Sequence, residues 1–461
     1  MLKLIQNEWI KIFTKISTWI MLALVALFAV GLTVISKSSM TSYSSSGYTF
    51  DDQYYASEID YLNMARPQGY EIQVKQMEYM RDSQITWTSD SWQYTALCLA
   101  FEQWQSQIIY GGESIDETEK ARLEEQFNDV MAPVLADDWE SYAQKMLANI
   151  QSSEESDSIK AAQAYPYEYM LERGLTPETC SSWQFEGVQN LSSAMERLAQ
   201  LKEQQAFGGY VSDETMAQAE DDAALYQYIM DHEIESYIDK DGMTASDYWE
   251  SFLQGASVVT IASVVMVVLA GGSVANEFSS GTIKFLLINP VRRGKIIISK
   301  YITLVLVALA VIAGVFIISG ISNIFAFGAD FDVPYLTVSL GIVHEGSSII
   351  YTFTQYLLSG INLLAMMTMA FMISSLMRNA AVAIGIGVAA LMGGSMIVVM
   401  LAQLGCDWGR YIIFANMNLT QIAQGNSYFP NQTLTFSIIT LAAYMVVFLL
   451  TAYDGFTRRE V

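Results

Sequence analysis

Six stretches of this chain are long and apolar enough to cross a bilayer, which takes about 20 residues in a helix. They are Thr18–Ser36, Phe252–Val274, Tyr301–Ile321, Ile350–Met372, Ala380–Leu401 and Leu434–Ala452. The first run lies behind a charged stretch, and no small-x-small cleavage site precedes a mature domain. It therefore reads as a retained helix, not a cleaved leader. Between the first two runs, residues 37–251 have no such stretch. Their apolar positions recur at helical spacing instead, as in Leu123, Phe127, Val130 and Met131. Helices are expected over 117–151 and 212–238. Ser114 with Glu117 has the spacing of a capping box, and Thr176-Pro177 that of an N-cap with proline at N1. Strand alternation is weak throughout. The pattern predicts an all-α membrane protein with six transmembrane helices and a large, mainly helical domain between helices 1 and 2.

The expected order is residues 1–17, a cytoplasmic interfacial helix; 18–36, the first span; 37–251, the inserted domain; and 252–274, the second span. There follow 275–300, a cytoplasmic loop; 301–321, 350–372 and 380–401, spans three to five; 402–433, an extracellular or re-entrant segment; 434–452, the sixth span; and 453–461, a cytoplasmic tail. The fifth span is rich in small residues four apart (Ala381/Gly385, Ala383/Gly387, Ala389/Gly393 and Ala390/Gly394), which suits close helix packing.

Charge sharpens this picture. The formal net charge is −24, which is unusual beside a 52% hydrophobic composition. Residues 38–250 hold 40 of the 48 acids but only 11 of the 24 bases. The membrane part is therefore mildly basic and the insert strongly acidic. An acidic surface repels nucleic acid, so no nucleic-acid partner is expected. With the N-terminus inside, Lys3, Lys11, Lys15, Lys284, Arg292, Arg293, Lys295, Lys300, Arg378, Arg458 and Arg459 all fall on the cytoplasmic side. Only Lys37 and Arg410 fall in short outer segments. The positive-inside rule then puts both termini in the cytoplasm and the insert outside the cell. The spans carry no acids at membrane depth, which argues against a proton-coupled carrier.

Enzyme chemistry finds little support. Cys98, Cys180 and Cys406 form no CxxC or Cys/His metal spacing, although Cys98 and Cys180 share the insert and could pair. His232 stands alone among acids, as expected of a solvated helix face. No G-x-x-x-x-G-K-[ST] phosphate loop occurs.

The most informative segment follows the second span: Glu277, Gly281-Thr282-Ile283, Leu286-Leu287, Pro290 and Arg292-Arg293. A short helix from Thr282 would present Ile283, Leu286 and Leu287 on one face and end at Pro290. The basic residues would then meet anionic lipid. This segment resembles the loop of permease subunits of type-2 ABC exporters. Near the N-terminus, Glu8, Trp9 and Lys11 lie on a basic amphipathic stretch, which resembles that family's interfacial helix. The resemblance covers roughly the membrane half of the chain.

It implies a transport subunit without enzymatic activity of its own. Two copies of a separate cytoplasmic ABC ATPase would bind ATP and magnesium and dock on the 276–295 segment. A second permease copy or paralogue would complete the pathway. The chain itself would bind no cofactor. The cargo would be an amphipathic peptide, lipid-like molecule or drug, leaving through a bacterial plasma membrane. The rival reading is a peptide-sensing or immunity scaffold whose outer domain binds a ligand without transport.

Overall fold

The apolar spacing near the N-terminus produces the first helix. In the computed structural model, residues 1–43, 50–86, 91–111, 114–281, 292–377 and 379–458 are described. Helix α1 (Leu2–Phe13) turns Leu4, Ile5, Glu8, Trp9, Ile12 and Phe13 inward and leaves its other positions exposed. Trp19 donates its indole N–H to the Phe13 carbonyl at 2.8 Å, closing the corner into α2 (Ile16–Tyr43).

The inserted segment folds as α3 (Asp52–Ala65), α4 (Tyr70–Asp82), α5 (Trp92–Ala100), α6 (Ser106–Gly111), α7 (Glu117–Leu135), α8 (Trp139–Ser152), α9 (Asp157–Arg173), α10 (Ser182–Ala206) and α11 (Asp213–Asp231). A single π turn, Phe101–Gln105, joins α5 to α6. The chain then forms α12 (Asp247–Gln254), α13 (Ala256–Ser279), α14 (Arg293–Phe327), a hairpin of β1 (Pro334–Ser339) and β2 (Ile342–Ser347), α15 (Ser348–Leu376) and α16 (Ala380–Gln403). Two 3₁₀ turns (Asp407–Tyr411 and Ile413–Asn416), α17 (Leu419–Ala423) and α18 (Leu434–Thr457) complete it.

Among the described residues six helical segments are long and apolar enough to cross a membrane. They are α2, the α12–α13 pair, α14, α15, α16 and α18. The chain is a mainly helical, multi-pass membrane protein. It divides into two compact units. One comprises Met1–Thr41, Ser236–Leu336 and Glu345–Val461, and the other Ser42–Glu235 with Thr337–His344.

The membrane unit is centred on α13 and α15. Val259, Met266, Val267, Leu363, Met366, Met367 and Ala370 are fully buried between its helices. Tyr356 and Trp249 sit in the same core; the Tyr356 hydroxyl donates to the Phe252 carbonyl at 2.9 Å, and the Trp249 indole donates to Asp330 O at 2.7 Å. Gly255 separates α12 from α13 at a point where a Cβ would stand 2.2 Å from the Tyr356 hydroxyl. Of the small residues on α16, Ala383, Gly387 and Gly394 are buried. A Cβ at Gly387 would meet Val267 at 2.8 Å, and one at Gly394 would meet Phe414 at 2.2 Å. Gly385 and Gly393 face open space, so only one stripe of that helix is packed. In the 402–433 segment the irregular backbone is tied internally. Asn416 donates to the carbonyls of Arg410 and Ile412 at 2.8 and 2.9 Å, and Gln432 donates to Ala415 O and Asn416 Oδ1 at 2.9 and 3.1 Å. Buried backbone outside helices requires such partners.

The other unit has two aromatic-rich cores. One gathers Tyr55, Met80, Trp92, Phe101, Trp104, Phe127 and Met131; the other gathers Tyr169, Met170, Val188, Leu191 and Met230. Trp139 packs against both. Trp92, Trp104 and Trp249 are buried, Trp139 and Trp183 are half-buried, and Trp87 lies outside the described residues.

Several local expectations are corrected. The helix expected over 117–151 is two helices. Asp137 takes a left-handed φ of 56°, and Asp138 caps α8 by accepting from the Ser141 N–H at 3.0 Å. An aspartate pair offers this local alternative to continued helix. Asp116, not Ser114, caps α7, accepting from the Glu119 N–H at 2.7 Å, while the Ser114 hydroxyl turns to the Gly111 carbonyl. Thr176-Pro177 makes a turn. The following helix starts at Ser182, where Gln184 accepts from the Ser181 N–H at 3.2 Å. The helix expected to reach residue 238 ends at Asp231, with Glu233 left-handed at φ 52°. Cys98, Cys180 and Cys406 are all free thiols.

Candidate functional site

Four charged side chains meet where α1 lies against the ends of α13 and α14. Helix α1 carries Glu8 and Lys11 three residues apart, on the same side by helical geometry. The last turn of α13 carries Glu277, and the second turn of α14 carries Lys300. The Lys300 ammonium donates to Glu8 Oε2 at 2.8 Å and to Glu277 Oε1 at 2.7 Å. It also reaches the Ser273 carbonyl at 3.4 Å. Its side chain is only 2% exposed. Lys11 closes the group from the rim, 3.1 Å from Glu8 and 3.3 Å from Glu277, with its side chain 52% exposed.

A buried lysine is expensive unless paired on more than one side. Here two carboxylates and a carbonyl supply three acceptors, as many as an ammonium has protons. Two acids and two bases leave the group formally neutral. Burial alone would push the Glu8 carboxyl up, but the ammonium groups of Lys300 and Lys11 outweigh it and hold the group below the usual carboxylate range. Burial likewise works against the Lys11 charge, and Glu8 and Glu277 outweigh it, raising the group above the usual lysine value.

The cluster pins α1 along α14. Trp9, Ile12 and Phe13 pack against the membrane-unit core, with the Trp9 and Phe13 rings 4.7 Å apart. On the neighbouring turn of α13, the N–H groups of Val274 and Ala275 donate to the buried Ser374 hydroxyl of α15 at 3.1 and 3.0 Å. Phe278 packs edge-on against Phe456 of α18, centroids 6.5 Å apart. One short stretch of α13 thus touches α1, α14, α15 and α18.

Of the residues singled out in the sequence, Glu8, Lys11 and Glu277 converge, and Trp9 supports them by packing. Gly281 follows the end of α13 in a left-handed conformation, φ 71°, with its N–H on the Phe278 carbonyl at 3.2 Å. Glycine suits that position at a helix C-terminus. Arg292 caps α14 and Arg293 begins it. Thr282, Ile283, Leu286, Leu287 and Pro290 lie outside the described residues. Lys300, expected at the edge of a loop, is instead a buried helical residue. Nothing in the sequence sets it apart from the other bases near that loop, because its two acids lie 292 and 23 residues away.

Among the described residues, no group of three or more His, Cys, Asp or Glu side chains could hold a metal ion. His232 ends α11, stacked on Tyr228 with centroids 3.9 Å apart.

Two relatives share about half of this chain. The uncharacterized protein YhcI of Bacillus subtilis (strain 168) is 35% identical over 234 residues, 50% of this chain and 74% of that protein. The uncharacterized membrane protein YdbK of the same organism is 29% identical over 206 residues, 44% of this chain and 80% of that protein. The model of the DUF2705 family, described as a protein of unknown function, matches residues 220–461, just over half of the chain, and the chain belongs to that family.

Proposed function

We propose that this chain is the transmembrane permease subunit of an ATP-driven ABC-type exporter, set in a bacterial plasma membrane with both termini in the cytoplasm. The observation that carries this reading is the Glu8–Lys11–Glu277–Lys300 cluster. It joins an amphipathic interfacial helix to the two helix ends that bracket residues 282–291. A force applied to that loop by a cytoplasmic partner would reach α1, α14, α15 and α18 through one short stretch of α13. Rigid coupling of this kind suits a subunit whose energy is supplied elsewhere. Two ABC ATPase copies would bind ATP and magnesium, close, and push on a coupling helix built from Thr282, Ile283, Leu286, Leu287 and Pro290. A second permease copy or paralogue would complete the pathway for an amphipathic cargo. The acidic unit of residues 42–235 would face outward.

The test is purification of the tagged chain from native membranes in mild detergent, with ATPase activity assayed on the eluate. A co-purifying ABC ATPase, lost in Leu286→Asp while the variant still inserts and elutes as one species, is the expected result. No associated ATPase with the unaltered chain would refute the reading and favour a scaffold whose acidic unit binds a ligand without transport.

A further inference from the structure

Away from the charge cluster, the membrane unit carries a second feature that the proposed coupling does not use. A cavity of about 630 Å³ lies between α13, α15, α16 and the irregular 402–433 segment. It runs from Tyr351, in the first turn of α15, to Met366, past that helix's middle. Gln355, Ser359, Asn362 and Met366 follow at intervals of four, three and four residues, so one stripe of α15 faces it. Gln254 and Ser257 face it from the second span, and Asn418 and Gln424 from the irregular segment. Met366, Leu391, Val398 and Phe414 form an apolar part of the wall.

Three properties of this wall define what it would hold. First, among the described residues its lining includes no Asp, Glu, Lys, Arg or His. A charged head group brought there would lack a counter-charge in a poorly solvated place, which is strongly disfavoured. Second, the polar groups are amides and hydroxyls, which both donate and accept. The Asn362 side-chain carbonyl is shut off from solvent and has no hydrogen-bond partner among the described residues. A buried acceptor in that state takes a hydrogen bond from a water or from a ligand donor. Third, the rim is fixed. Gln424 donates to the Asp241 carbonyl, the Tyr351 hydroxyl donates to the Lys240 carbonyl at 3.5 Å, and the Tyr351 ring stacks on Tyr335 with centroids 4.1 Å apart. The volume lies within the usual range of small-molecule sites. At the ~30 Å³ that a water takes in the liquid, it holds roughly 20 non-hydrogen atoms.

We propose that this cavity binds a single-chain amphipath whose head group is uncharged and hydrogen-bonding. The head lies among Gln355, Asn362 and Gln424, and the tail lies on Met366, Leu391 and Phe414. A monoacylglycerol with a medium-length chain has that size and chemistry. Binding here requires no ATPase, so the proposal stands or falls separately from the export reading.

The experiment uses the full chain in lipid nanodiscs and a monolauroylglycerol carrying a photoreactive diazirine and an alkyne. After irradiation, labelled peptides are identified by mass spectrometry. The expected label falls on the helices and segment that line the cavity, α13, α15, α16 or residues 402–433. It is competed by excess monolauroylglycerol but not by laurate or dodecyltrimethylammonium at the same concentration. Asn362→Leu lowers it about tenfold, the loss expected when one buried hydrogen bond is removed. Ser359→Leu, which fills the cavity without touching Asn362, lowers it as well and serves if Asn362→Leu does not fold. Asn362→Asp shifts competition towards dodecyltrimethylammonium. Equal competition by the charged amphipaths, label confined to other helices, or unchanged label in a folded Ser359→Leu protein would each overturn the proposal.

Discussion

Replacing Lys300 with methionine removes one charge from the cluster while keeping the length of the side chain. The Glu8 and Glu277 carboxylates would then face each other, answered only by the half-exposed Lys11. Breaking a buried ion pair from one side costs about 3–5 kcal/mol. If detachment of α1 relieves that strain, the free energy appears as easier opening of α1. At about 1.4 kcal/mol per factor of ten, the open fraction rises roughly 100- to 4,000-fold. Hydrogen exchange of α1 amides, followed by mass spectrometry in nanodiscs, reads this directly. Lys11→Met is the matched control. Lys11 is exposed, and an exposed pair contributes about 0–1 kcal/mol, so its effect stays within about fivefold. Glu277→Gln added to Lys300→Met leaves the neutral Glu8–Lys11 pair and recovers part of the loss, a coupling expected of side chains in contact. The reasoning is refuted if Lys300→Met changes α1 exchange no more than Lys11→Met does.

The same readout should depend on pH. The Glu8 carboxyl is held below its ordinary value of 4.5, so its contribution is complete above that value and is lost as pH falls through the lowered one. Protection of α1 should be flat from neutral pH down to the ordinary carboxylate value of 4.5 and fall only below it, and a decline starting near neutrality would contradict the assignment. Gly255→Ala places a Cβ 2.2 Å from the Tyr356 hydroxyl, 2.9 Å from Ser319 Oγ and 3.0 Å from Phe252 O. Such overpacking costs about 1–3 kcal/mol, or a fall of roughly 2–10 °C in the thermal midpoint followed by size-exclusion chromatography. Adding Tyr356→Phe should restore part of it.

How far the sequence could be read follows from the range of the forces involved. A membrane span is announced by its own residues, because each must suit lipid independently of its neighbours. The apolar runs therefore reveal six crossing helices directly. Helix breaks are set by a balance among a few residues, and at Asp137–Asp138 a capping aspartate prevails over a continuous apolar stripe. The cluster is non-local. Glu8 and Lys11 stand out by spacing and Glu277 by resemblance, but Lys300 reads as another loop base, because its two acids lie 292 and 23 residues away. Gln355, Ser359 and Asn362 recur at helical spacing along the fourth span, but that spacing alone does not mark them as facing a cavity. What they face depends on the fold of the 402–433 segment, which is irregular and has no period to read.

The separation between Glu8 and Lys300 has a consequence in time. At 5–20 residues per second, about 15–60 s pass during synthesis between the two residues. Throughout that interval α1 exists without its buried partner. An amphipathic helix can rest on the lipid surface meanwhile. It can lock down only after the whole acidic insert has been made and both the second and third spans have arrived. Docking of α1 is therefore a late event in biogenesis, and a chain truncated before Lys300 should carry its first helix loose on the membrane.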